Sequence, residues 1–119
     1  MNKETLNFVI EKTNALINSG SVCKEAKAAA EKWLKAVGTP VENAETEKYL
    51  KELEDDIEPI DDLIAFLNTP LAAKLMGEDG VKNFLAHAEQ RKAAGEKFCD
   101  CPACSACAEI LSKKDEITA

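Results

Sequence analysis

Apolar residues recur at intervals of three and four along nearly the whole chain, and almost no stretch alternates at two, so the pattern predicts helices throughout. Leu6, Val9, Ile10, Leu16 and Ile17 share one face of a first helix that runs to Gly20, a candidate left-handed cap. Ser21 is placed to cap a second helix in which Cys23, Ala26, Ala30, Trp33 and Val37 form one stripe. Its first turn then points Cys23 inward, and Gly38, Thr39 and Pro40 end it. A third helix over 41–54 carries Tyr49, Leu50 and Leu53 inward, and Pro59 opens a fourth with Ile60, Leu63, Ile64 and Leu67. Thr69 and Pro70 are the cap and first residue of a short fifth helix that closes at Gly77. Val81, Phe84, Leu85 and Ala88 mark a sixth, ending near Gly95, and Pro102 starts a last helix through Ile110 and Leu111. The expected fold class is all-α: a compact bundle of about five to seven short helices, forming a single helical domain over 1–119.

Composition supports that expectation. Only 5% of residues are aromatic and 45% are apolar, enough for one core without disulfide staples. Charged residues interleave the apolar ones near Met1, as in an amphipathic helix and unlike a secretory leader, and no apolar run is long enough to span a membrane. The chain therefore reads as cytoplasmic, where thiols stay reduced. A net charge of −7 argues against nucleic acid and anionic membrane surfaces as partners, and leaves a protein partner open. Acidic residues thicken at Glu52, Glu54, Asp55, Asp56, Glu58, Asp61 and Asp62, without the glycine and ligand spacing of a calcium loop, and read as a solvated face.

The chemistry is concentrated at 99–107. Cys99, Cys101, Cys104 and Cys107 have the spacing C-x-C-x2-C-x2-C, which suits a soft ion held by thiolate sulfur, because zinc takes four ligands in a small tetrahedron. With Pro102 at the first helical position, Cys101 becomes the N-cap and Cys104 lies in the first turn, where the positive end of the helix favours the thiolate as ligand or nucleophile. At about 100° per residue, Ala103, Ala106 and Ile110 set the buried direction, Cys107 lies about 50° from it and Cys104 about 110° away. Cys99, Cys101 and Cys104 are thus three ligands, and either Cys107 or Cys23 is the fourth. A zinc held this way is structural rather than catalytic, since all donors are sulfur. An iron–sulfur cluster accepts the same spacing, and the pair Cys101 and Cys104 could exchange disulfides, although the strand that precedes such a pair in glutaredoxin-type proteins is missing.

The one histidine, His87, sits at the edge of the sixth helix's stripe and has no companion at ligand spacing. Trp33 and Tyr49 fall at core spacing. With no Ser-His-Asp order, phosphate-cradling glycine loop or Glu-x-x-His pair, the case for an enzyme rests on cysteine alone.

The stretches Lys3-Glu4-Thr5-Leu6-Asn7, Ala30-Glu31-Lys32-Trp33-Leu34, Asp61-Asp62-Leu63-Ile64-Ala65-Phe66 and Cys99-Asp100-Cys101-Pro102-Ala103-Cys104 make the chain similar to a family of short helical, cysteine-containing proteins of anaerobic bacteria. Members often carry a label referring to the ninety-kilodalton heat-shock chaperone, whose ATP-binding fold needs a β-sheet and glycine motifs that this sequence lacks. The resemblance implies that Cys23, Cys99, Cys101 and Cys104 belong to the family pattern and that Cys107 is less typical. It favours Cys23 as the fourth ligand.

Overall fold

The computed structural model describes residues Met1–Ala119 and consists of helices joined by short turns. They are α1 (Lys3–Asn18), α2 (Lys24–Ala36), α3 (Glu42–Asp56), α4 (Ile60–Leu67), α5 (Pro70–Met76), α6 (Glu78–Ala93), α7 (Pro102–Leu111) and α8 (Lys114–Thr118). The all-α expectation holds. The count is eight rather than five to seven, because after the Ser112 cap of α7 the chain turns once more and buries Ile117 on the five-residue α8.

Contacts divide the chain into two units, Met1–Ile57 with Asp100–Ala119, and Glu58–Cys99. In the first, α1 and α3 pack on α7 and α2 packs on α1 and α3. Its core holds Val9, Leu16, Trp33, Tyr49, Leu53 and Ile110, all buried. The rings of Trp33 and Tyr49 stack with centroids 5.4 Å apart. Their polar ends are satisfied by threonines: Trp33 Nε1 donates to Thr46 Oγ1 at 2.9 Å, and Tyr49 Oη lies 2.8 Å from Thr13 Oγ1. Buried N–H and O–H groups need such partners, so threonine belongs on the inner faces of α1 and α3. The inner face of α1 is accordingly Thr5, Val9, Thr13 and Leu16, while Leu6, Ile10 and Ile17 are half-buried.

In the second unit, α4 and α5 pack on α6 around Ile60, Leu63, Leu67, Ala72 and Ala88. As expected, Thr69 caps α5 through its hydroxyl and Pro70 fills the first helical position. α6 begins at Glu78, ahead of the first apolar position of its stripe; Gly77, at φ +78°, both ends α5 and precedes α6, a conformation open to glycine. Extended residues before Cys99 pair with the chain entering α4. The Ile60 N–H donates to Lys97 O at 2.8 Å, and the Cys99 N–H donates to Glu58 O at 2.9 Å.

Two end signals differ from the sequence pattern. α1 stops at Asn18 with Ser19 as its cap and Gly20 outside the left-handed region, because the Ser19 hydroxyl satisfies the Leu16 carbonyl at 2.8 Å. Ser21 does not cap α2. Its Oγ accepts instead from the Ala103 N–H of α7 at 3.1 Å, and Cys23 takes the N-cap of α2.

Candidate metal centre

Three cysteines meet. The sulfurs of Cys99, Cys101 and Cys104 all lie within 4.8 Å of one another, close enough to hold a metal ion. Each arrives by a different local device. The Cys99 backbone is held by the pairing to Glu58, and the carbonyl before it, that of Phe98, accepts from Arg91 Nη2 at 3.0 Å. Cys101 is the N-cap of α7 with extended backbone, φ −58° and ψ 159°, and Pro102 follows at the first helical position as the sequence predicted. Cys104 sits one turn in, where its N–H donates to Cys101 Sγ at 3.4 Å. This hydrogen bond strengthens as the sulfur gains negative charge, and it aims Cys101 across the helix end toward Cys104.

The start of α7 is held from outside as well. The Ser21 hydroxyl takes the Ala103 N–H, and Ser105 Oγ donates to Asp100 O at 3.0 Å. Tetrahedral zinc with Zn–S bonds of about 2.3 Å needs sulfurs about 3.8 Å apart, so closing a group already within 4.8 Å takes rotations of side chains on a fixed backbone. Cys99 and Cys104 are buried, at 5% and 8% exposure, and Cys101 is half-buried. Cys104 is therefore more enclosed than its position about 110° off the buried direction of α7 suggested. The wheel counts only the faces of the helix itself and takes no account of what else packs around it.

Cys23 and Cys107 lie outside the three-sulfur group. Cys107 faces the core of the first unit at 3% exposure, in agreement with its place on the wheel. Burial pushes its thiol up to about 12, and the negative charges of Cys23, Asp56 and Cys101 add to that. Cys23 was expected to point inward but is exposed, because it is the N-cap rather than a first-turn residue. Its sulfur accepts from the Ala26 N–H at 3.4 Å. Partial burial raises its pKa, the Ala26 N–H opposes this, and Asp56 and Glu25 reinforce it.

Asp56 escaped the sequence pattern. Of the seven residues in its acidic run, Glu54, Asp55, Asp61 and Asp62 are exposed, whereas Glu52, Asp56 and Glu58 are half-buried, and Asp56, last in α3, has its Oδ2 shut from water with no hydrogen-bond partner. Its other contacts are with a Glu52 carboxyl, raised first by the hydrogen bond to Asp56, and with the Cys23 thiol. His87, the weakest of the sequence candidates, is exposed on α6 and does not join the three sulfurs. No helix is long and apolar enough to cross a membrane.

Comparison with protein-family models, curated proteins and solved structures finds no match for this chain.

Proposed function

We propose that this is a metal-binding helical protein in which Cys99, Cys101 and Cys104 hold a zinc ion with a structural role. The observation that carries the proposal is the mutual approach of three sulfurs within 4.8 Å on backbone fixed by independent hydrogen bonds. All-sulfur donors and the burial of Cys99 and Cys104 favour an ion that stabilises the turn into α7 over one that turns over substrate. Because thiols must lose protons to bind, ion binding and folding of residues 99–104 are coupled.

The test is zinc content per chain in protein purified without oxygen or a metal-affinity tag. Serine at position 101 can still cap α7 through its oxygen, so Cys101→Ser removes the ligand while keeping the helix start. The expected result is bound zinc in the unmodified chain, lost in Cys101→Ser together with several degrees of thermal stability. Zinc absent from the unmodified chain, or retained in full by both Cys101→Ser and Cys99→Ser, refutes the proposal. A second reading is supported by the hydrogen bond from the Cys104 N–H to Cys101 Sγ, an arrangement that also suits a thiol–disulfide pair. It predicts a Cys101–Cys104 disulfide after mild oxidation of metal-free protein, and iron with visible absorption would identify a cluster instead.

A further inference from the structure

A zinc ion at the three-sulfur centre has one coordination position that this chain does not fill. Zinc takes four donors, and a site with three protein ligands keeps the fourth position for water or another small molecule. The sulfurs of Cys99, Cys101 and Cys104 lie within 4.8 Å of one another, and no other cysteine sulfur, carboxylate oxygen or imidazole nitrogen joins them. The hydroxyls bonded to this end of α7 have other tasks, since Ser21 Oγ accepts from the Ala103 N–H and Ser105 Oγ donates to Asp100 O. The fourth donor therefore comes from outside the chain.

Access and surroundings narrow what that position takes. Cys99 and Cys104 are buried whereas Cys101 is half-buried, so a small molecule reaches the centre from the Cys101 side. Phe98, 37% exposed, and Pro102, also exposed, are the chain neighbours of Cys99 and Cys101, which leaves apolar surface next to two of the ligands. A molecule with a carbon skeleton gains by covering that surface, and a hydrated anion does not. Three thiolates already select a soft ion, and a soft ion favours a further sulfur over oxygen. The added negative charge is offset by the positive end of α7, whose Cys104 N–H donates to Cys101 Sγ.

We propose that the centre, which rests on the zinc reading above, takes a low-molecular-weight aliphatic thiol as the fourth ligand of an ion held by Cys99, Cys101 and Cys104. The incoming thiol displaces water, gives its proton to solvent and forms one zinc–sulfur bond, with no change of oxidation state. The metal then keeps it as thiolate at neutral pH. The ion still ties the turn into α7 together through its three chain ligands, so exchange at the fourth position leaves the fold in place. Cys107 and Cys23, outside the group, take no part in it.

The experiment loads the full chain, stripped of metal without oxygen and kept free of added thiol, with cobalt(II) in place of zinc and titrates it with L-cysteine. Sulfur-to-cobalt absorption is expected to rise by about a third and then saturate, as three sulfur ligands become four. L-serine, which lacks only the sulfur, should leave the spectrum unchanged, and Cys107→Ala and Cys23→Ser should respond to L-cysteine as the parent does. Absorption that is at the four-sulfur level before any thiol is added, and falls by about a quarter in Cys107→Ala or Cys23→Ser, shows that the chain supplies its own fourth ligand; it overturns the thiol site and leaves the metal centre standing. A three-sulfur spectrum that L-cysteine does not change also overturns the thiol site, with water holding the position. Absence of sulfur-to-cobalt absorption in the parent, or its full retention in both Cys101→Ser and Cys99→Ser, removes the metal centre and the thiol site together.

Discussion

Replacing Thr13 by valine tests whether the core of the first unit depends on its hydroxyl pairing. Thr13 is 0% exposed, and its Oγ1 lies 2.8 Å from the Tyr49 hydroxyl, itself on a residue 2% exposed. Valine matches threonine in shape but leaves the Tyr49 hydroxyl enclosed with no partner, which costs about 1–3 kcal/mol. For a chain of this length that corresponds to a fall in Tm of about 4–12 °C. Tyr49→Phe should cost less, about 1 kcal/mol, since the stacking on Trp33 survives and the Thr13 hydroxyl can turn to the carbonyl one turn back in α1. The double variant pairs two apolar groups and should be no less stable than Thr13→Val alone, giving a coupling of about 1 kcal/mol. Urea unfolding followed by circular dichroism and by the single tryptophan, Trp33, measures all four corners of the cycle. If the two single costs add to within about 0.5 kcal/mol, or if Thr13→Val costs less than that, the hydroxyl pair does not stabilise this core.

Ser21→Ala removes the acceptor for the Ala103 N–H and is expected to cost about 0.5–2 kcal/mol, although Ser21 does not cap the α2 helix that follows it; an unchanged Tm would show that water replaces it fully. Burial raises the Tyr49 phenol above its ordinary value, only partly opposed by Thr13. The unfolded chain therefore loses that proton first as pH rises past about 10, and stability, complete below that pH, falls by up to about 1.4 kcal/mol per pH unit above it. Metal-free Tyr49→Phe should show a shallower alkaline decline; an identical slope would assign the effect to other groups.

Much of the fold could be read from residue pattern because its helices carry local signals. Thr69 with Pro70, and Cys101 with Pro102, act as predicted, since a cap and a first-position proline need only their own turn. Trp33 and Tyr49 are buried as their spacing required. The misplacements occur where a side chain answers to a distant element. Ser21 looks like a cap for α2 until α7, 82 residues later, supplies a better donor, and Thr13 looks polar until Tyr49 is set beside it. For the candidate site, the three close sulfurs are contained in nearly adjacent residues, and their proximity follows from one turn of loop and the start of one helix. The enclosure of Asp56 Oδ2 could not be read this way, because an acidic run carries no mark of which carboxylate the fold will enclose.

Glu58 and Cys99 are the first and last residues of the second unit, and a single backbone hydrogen bond of 2.9 Å joins them. The intervening segment therefore leaves and returns at nearly the same point, as an inserted module does. A tight turn of a few residues in place of 60–97 would span the same gap. Such a shortened chain would still contain every cysteine, and the helices from Met1–Ile57 and Asp100–Ala119 would become neighbours in sequence as well as in space. The arrangement makes residues 60–97 separable: they can vary in length and surface without removing any of the three sulfur donors.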